Sequence, residues 1–277
     1  MSARPLRRHL ISGVGALLLA GAAAGAPAGI APPPPAEPVF DGDAAYALSQ
    51  QAVGRLVGDY RFTAADGREV SLADLRGRPL VVSLVYTSCY QICSMTTRSL
   101  ARTVRAARAV LGDESFAVLT IGFDTPVDTP AAMAAFAVEQ GVREADWQFL
   151  SGDAATLAAL TRDLGFTYQR SPKGFDHLLQ TTVLDADGRV YRQVYGEVID
   201  APWLVEPLKE LVLGTRPEDG ALARIVSQVR MYCVTYDPAT GTYRNDYSLY
   251  IGMAIGAAII VAVAGFLVRE VRHARSV

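Results

Sequence analysis

The sequence predicts an α/β fold: a mixed sheet flanked by helices, with one apolar helix appended at the C-terminus. Three observations carry this. Two continuous apolar runs, residues 79–86 and 116–123, have the length and composition of strands buried on both faces. Segments with helical spacing alternate with them. No charge falls between Asp246 and Arg269. With 277 residues, 51% of them hydrophobic, the chain can bury a sizeable core in one or two domains.

In chain order, Arg4, Arg7 and Arg8 precede an uncharged stretch from Leu10 to Ala26, and Ala24-Gly25-Ala26 supplies the small residues of a cleavage site. Residues 1–28 are therefore read as a signal peptide, removed near Ala26 or Ala28. The alternative, an uncleaved anchor, has a short apolar core diluted by glycine. Arg7-Arg8 is compatible with twin-arginine export, and the route stays open. Residues 29–50 are read as a Pro-rich linker, extended over Ala31–Pro38.

Residues 51–215 form the main domain. Tyr60–Thr63 and the turn Ala65-Asp66-Gly67-Arg68 predict a hairpin, and Ser71–Leu75 a short helical turn. The run 79–86 is a buried strand, followed by a helix over Tyr90–Leu111 with Arg98, Arg102, Arg105 and Arg108 on helical spacing. Phe116–Phe123 is a second strand. Thr129-Pro130 opens a helix through Gln140, since proline suits the first turn. Trp147–Leu150 predicts a strand and Ala154–Leu164 a helix. Strands around Gln180–Leu184 and Arg189–Tyr195 are joined by the turn signal Asp185-Ala186-Asp187-Gly188. A helix over Trp203–Leu213 closes the domain. Alternation ending in a hairpin and helix fits a thioredoxin-like fold.

Residues 216–248 are a juxtamembrane segment and 249–268 a transmembrane helix, about 20 residues at about 1.5 Å each covering a bilayer core of about 30 Å. Arg269, Arg272 and Arg275 in the tail 269–277 mark a cytoplasmic flank, and Tyr243, Tyr247 and Tyr250 an interfacial belt. The main domain then lies outside the cytoplasm. Between the leader and that helix stand 20 Lys and Arg against 27 Asp and Glu, an acidic balance that argues against nucleic acid as partner.

Only three cysteines exist, Cys89, Cys93 and Cys233, too few to staple a domain this size. Cys89 and Cys93 fall at a strand-to-helix junction. If the helix starts near Cys89, their sulfurs share one face, and its positive end favours a thiolate. A disulfide couple, a metal clamp and two inert buried thiols all remain possible at this point. A metal would ask for a further ligand. Outside the leader and tail the chain holds one histidine, His177, beside Asp176 in a glycine-containing loop.

Tyr86-Thr87-Ser88-Cys89-Tyr90-Gln91-Ile92-Cys93, Phe123-Asp124-Thr125-Pro126-Val127-Asp128-Thr129-Pro130 and Asp176-His177 together resemble the Sco/SenC family of copper proteins, over about residues 58 to 213. The resemblance implies copper bound by Cys89, Cys93 and His177, with two thiolates and an imidazole suiting Cu(I) and Cu(II) left open. Asp124, Asp128 or Asp176 is then placed to tune the site, with helix capping the competing role for Asp128. Two departures stand out: Ser94 replaces the proline that commonly follows the second cysteine, and the anchor is C-terminal. Met231 to Gly241, around Cys233, resembles a tail found in a subset of the family. Cys233 is a third thiol at the site, an intermolecular contact or, the reading preferred here, a residue packed near the membrane.

The resemblance implies a membrane-anchored copper chaperone on the periplasmic side of a bacterial inner membrane. It would take copper from a donor and deliver it to the dinuclear site of cytochrome c oxidase subunit II or another respiratory copper protein. The rival is a periplasmic thiol-disulfide reductase in which Cys89 attacks and Cys93 resolves. Leu178-Leu179-Gln180 lacks the proline usual before the strand that faces such a pair, which favours the metal. A peroxidase leaves the histidine without a task, and a sensor would have only a very short cytoplasmic tail.

Overall fold

The computed structural model describes residues 39–144, 146–214, 234–237, 242–245 and 248–274. The expected signal peptide, the proline run at 31–38, Cys233 and residues 275–277 lie outside the described residues. From Phe40 onward the chain forms one unit.

Strand β3 (Leu80–Val85) is buried at every position, as is β4 (Ala117–Gly122), because helices cover both faces of the sheet they share. They run parallel, Val82 opposite Leu119, and β4 pairs in parallel with β5 (Trp147–Ser151). Helices α2 (Ile92–Leu111) and α3 (Pro130–Gln140) connect these strands. Around them lie the hairpin β1 (Arg61–Ala64) and β2 (Glu69–Ser71), a 3-10 turn at Ala73–Leu75, and helix α4 (Ala154–Leu164). β8 (Gln180–Leu184), β9 (Val190–Tyr195) and helix α5 (Ala201–Leu213) complete the fold. The seven-stranded order is β2-β1-β5-β4-β3-β8-β9, with β1 antiparallel to β5 and β8 antiparallel to β3. This is the thioredoxin-like mixed sheet that the alternation predicts.

The starts and stops follow local chemistry. Thr129 caps α3, its Oγ1 accepting from the Ala132 N–H at 3.2 Å, and Asp153 caps α4. On α2 the arginine spacing is helical, but one arginine faces inward. Arg108 is buried, its guanidinium 5.5 Å from the centre of the Phe116 ring, so cation–π contact replaces water there.

Three elements were not foreseen. Helix α1 (Gly42–Gln51), capped by Asp41, occupies the second half of the span expected as linker. A separate two-stranded sheet pairs β6 (Tyr168–Ser171) with β7 (Gly174–His177). Another pairs β10 (Val234–Asp237) with β11 (Thr242–Asn245). Near the C-terminus, α6 (Ser248–Ala274) contains a stretch, Ile251–Arg269, long and apolar enough to cross a membrane, none of it buried in the protein.

Helix α1 packs where α4 ends. Gly165 sits at φ +64° in the left-handed cap of α4, and a Cβ there would lie 2.5 Å from the Leu48 carbonyl oxygen and 2.8 Å from Ser49 Cα. Both obstacles are backbone. Gly165→Ala is expected to destabilise the protein by about 2–4 kcal/mol, combining the left-handed penalty with displacement of α1. Denaturant unfolding of the full chain in detergent checks this, and a change below about 0.5 kcal/mol would mean that α1 simply moves aside.

Candidate metal centre

The site lies at the C-terminal ends of β3 and β4, where loops leave the parallel strands and helices begin. β3 ends at Val85, the Cys89 N–H turns back to the Tyr86 carbonyl at 3.1 Å, and α2 starts only at Ile92. The two cysteines are therefore not neighbours on one helical face, as a helix start near Cys89 would make them. Cys93 is in the first turn and Cys89 in the approach to it. Gln91, at the cap position, offers no side-chain bond, and the Cys89 sulfur stands in for it, accepting the Cys93 N–H at 3.4 Å. Ser94 retains its backbone N–H, and the helix begins without the proline that the family commonly has nearby.

The two thiols are electrostatically unequal. Cys89 is half-buried, its sulfur accepts the Cys93 N–H at 3.4 Å, and the Cys93 thiol, the Gln91 amide and the Tyr86 hydroxyl stand near enough to favour a thiolate there. With the Cys93 thiol the largest contributor, these pull its pKa down to about 4 against the cost of burial. Cys93 moves the other way: the neighbouring Cys89 sulfur and burial both push its pKa up. Of the pair, Cys89 is thus the sulfur that ionises more readily and Cys93 the one that keeps its proton. Iodoacetamide is therefore expected to label Cys89 alone in the folded, reduced protein, at a rate nearly flat from pH 8 to pH 6. A rate that instead titrates away with a midpoint near 8.5, the ordinary thiol value, would refute the inequality.

His177 ends β7, opposite Tyr168 in the small hairpin. Its ring lies among Phe166, Phe123 and Tyr86, with centroids 5.4, 5.6 and 6.1 Å away. Nδ1 is 2.8 Å from the Leu178 carbonyl oxygen. A carbonyl only accepts, so Nδ1 carries the proton and Nε2 keeps its lone pair, the tautomer a metal ligand needs. Burial lowers the pKa of the ring, which favours that neutral form.

The structure brings Cys89 and Cys93 together, and places His177 against a residue they also touch, but does not gather all three. Among the described residues no three His, Cys, Asp or Glu side chains are close enough to hold one ion. Tyr86 is the common neighbour. Its hydroxyl stands near enough to the Cys89 sulfur to favour a thiolate there, while its ring meets the His177 ring edge-on. Sequence reasoning missed it, although an aromatic three residues before the first cysteine, at the strand's end, was a visible signal.

Asp128 does not cap α3, because Thr129 does. It is buried, and one carboxylate oxygen accepts both the Thr87 N–H and the Thr87 hydroxyl at 2.7 Å, while the other accepts the Asp124 N–H at 2.8 Å. Asp128 thus fastens the loop carrying Cys89 to the loop after β4. Burial raises its pKa against the pull of those bonds. Gly122 leaves the room required, since a Cβ there would lie 2.4 Å from that of Asp128. Asp124 faces Arg170 at 3.4 Å, and Asp176 accepts the Ser171 hydroxyl at 3.3 Å across the hairpin.

Known proteins share this arrangement of strands and helices. The SCO1/SenC family model matches residues 49–212. Protein SCO2 homolog, mitochondrial, of Bos taurus is 28% identical over 169 residues, 59% of this chain and 61% of that relative, so the match spans about three fifths of the relative's length. Copper-bound yeast Sco1 superposes with a TM-score of 0.50 at 18% identity, covering 59% of this chain and 92% of that one. BsSco, described as having a disulfide switch and as a member of the Sco family of cytochrome c oxidase assembly proteins, gives 0.51 at 19%, covering 58% and 96%. At such identities the two structures speak to the fold, while the family model spans more than half of the sequence: this chain belongs to the SCO1/SenC family.

Proposed function

We propose that this protein is a copper carrier of cytochrome c oxidase assembly, with Cys89, Cys93 and His177 as the copper ligands. The observation that carries the reading is the donor set: a half-buried Cys89 sulfur that accepts the Cys93 N–H, the buried Cys93 thiol in the turn beside it, and, across Tyr86, an imidazole whose Nδ1 is held by the Leu178 carbonyl so that Nε2 keeps its lone pair. Two sulfurs and one imidazole suit Cu(I), and a three-donor site can pass the ion on by ligand exchange. His177 rides on a hairpin outside the seven-stranded sheet, so it can shift toward the sulfurs without breaking a ladder bond of that sheet. The work of a family relative in oxidase assembly and the copper bound to another support the same reading. In it, α6 anchors the chain from its C-terminus, with the α/β domain on the periplasmic side of a bacterial inner membrane. A donor supplies the copper, and the dinuclear site of oxidase subunit II receives it.

The inequality of the thiols favours a second reading, the disulfide reductase, since a half-exposed thiolate attacks and a buried thiol resolves. Anaerobic titration of the reduced full chain with Cu(I) against a chromophoric chelator separates the two. About one ion per chain is expected, lost in Cys93→Ser, because a single thiolate is a poor Cu(I) site. Disulfide exchange without copper retention would leave the reductase.

A further inference from the structure

We propose that the face of α2 beside Cys89 is a docking surface for a protein whose own thiol or metal-binding loop is rimmed by carboxylates. The reading above enters only in taking Cys89 as the reactive sulfur. Gln91, Met95, Arg98 and Arg102 are spaced four, three and four residues apart, so they form one stripe along the helix, and all are exposed. The stripe starts in the turn that holds Cys89. There Tyr90 is 99% exposed, with Ile92 at 38% and Met95 at 40%. Val127 and Tyr168, on the segments that carry Asp128 and His177, add 43% and 38% exposed apolar side chains. Single exposed apolar residues need no explanation, but Tyr90, Ile92 and Met95 crowd the turn and the first helical turn beside Cys89, a cluster of the kind that partners cover, and tyrosine is a common anchor.

The charge identifies the partner's chemistry. One turn farther along, Arg105 is paired with Glu144. Arg98 and Arg102 make no ion pair or hydrogen bond among the described residues. They stand on a chain whose residues 29–248 are acidic overall, 20 basic against 27 acidic side chains. That overall acidity disfavours an acidic partner at large, while the basic stripe beside Cys89 favours one locally, so the stripe orients an acidic partner onto the sulfur rather than merely attracting it. A lipid surface would also accept two arginines and an apolar collar. What favours a protein is that the patch is continuous with Cys89, whose chemistry needs a sulfur or metal centre opposite it.

The test uses the reduced full chain in neutral detergent and two synthetic disulfide peptides of equal length, one flanked by aspartates and one by lysines. In the exchange, the Cys89 thiolate attacks the peptide disulfide and expels one peptide thiolate. Cys93 then loses its proton to solvent and displaces the second, leaving the protein as a disulfide and the peptide as a dithiol. The acidic peptide is expected to react on the order of tenfold faster at about 20 mM salt, the gap closing by about 0.5 M. Arg98→Glu/Arg102→Glu should invert the order while leaving the iodoacetamide rate of Cys89 and Cu(I) retention at parental levels. Equal rates for the two peptides, or an order that survives the reversal, would overturn the proposal. So would a reversal that abolishes binding to phosphatidylglycerol vesicles and leaves both peptide rates unchanged, which would assign the stripe to lipid. A parent that discriminates between the peptides yet retains no copper would sink the copper reading alone.

Discussion

His177→Ala is expected to weaken Cu(I) retention on the order of 100-fold while exchange with a small disulfide stays within about twofold of the parent. The split follows if, as proposed, copper binding and disulfide exchange share the sulfurs but not the imidazole. Removing Nε2 takes away one of three soft or borderline donors, and two sulfurs alone hold the ion less well. Exchange depends on the thiolate of Cys89, whose largest stabilisers are Cys93 and backbone amides rather than the ring. The ring also fills space among Phe166, Phe123 and Tyr86, so alanine leaves a void as well as removing a ligand. His177→Phe separates the two effects, keeping an aromatic body without the donor nitrogen. Equal loss in both variants, read by competition with a chelator, supports ligation. Parental affinity in His177→Phe would remove His177 from the ligand set.

Asp128→Ala should be the most damaging substitution near the site that touches no proposed ligand. It strands the Thr87 and Asp124 N–H groups and the Thr87 hydroxyl, so about 3 kcal/mol of stability should go, together with the fixed approach of the Cys89 loop. The expected readouts are a lowered denaturant midpoint and iodoacetamide labelling that begins to reach Cys93. Asp128→Asn keeps the shape and one acceptor and should lose less. The pH dependence of this group runs against the usual carboxylate pattern. Because its folded pKa lies above the ordinary value, its titration adds stability as pH falls through that interval and removes it as pH rises. A parental midpoint in Asp128→Ala would mean that Thr87 is held by something else.

The parts of this molecule legible in its sequence are those where one local signal dominates. β3 and β4 are unbroken apolar runs, α3 is announced by Thr129-Pro130, and the β8–β9 turn by Asp185 to Gly188, where Gly188 has φ +84°. The cysteine motif and His177 were visible as residue types. What was not legible depends on pairing between distant segments. The β6–β7 hairpin is short and half-exposed, with only Pro172-Lys173-Gly174 hinting at its turn, so no alternation betrays it. Gly174 there has φ +115°, and a Cβ would lie 2.9 Å from the Tyr86 hydroxyl oxygen, a constraint that appears only once the two segments meet. The same holds for Asp128, whose partner Thr87 is 41 residues away. Spacing alone puts the start of α2 near Cys89, whereas a sulfur in the capping role lets the helix start later, at Ile92.

Were the two sulfurs joined, a visiting thiolate would find a lopsided bridge. Cys93 is 3% exposed, so only the Cys89 atom presents a trajectory for in-line approach. Cleavage would always leave the visitor tethered to the same side and return Cys93 to the interior as the leaving group, giving the bond a front and a back.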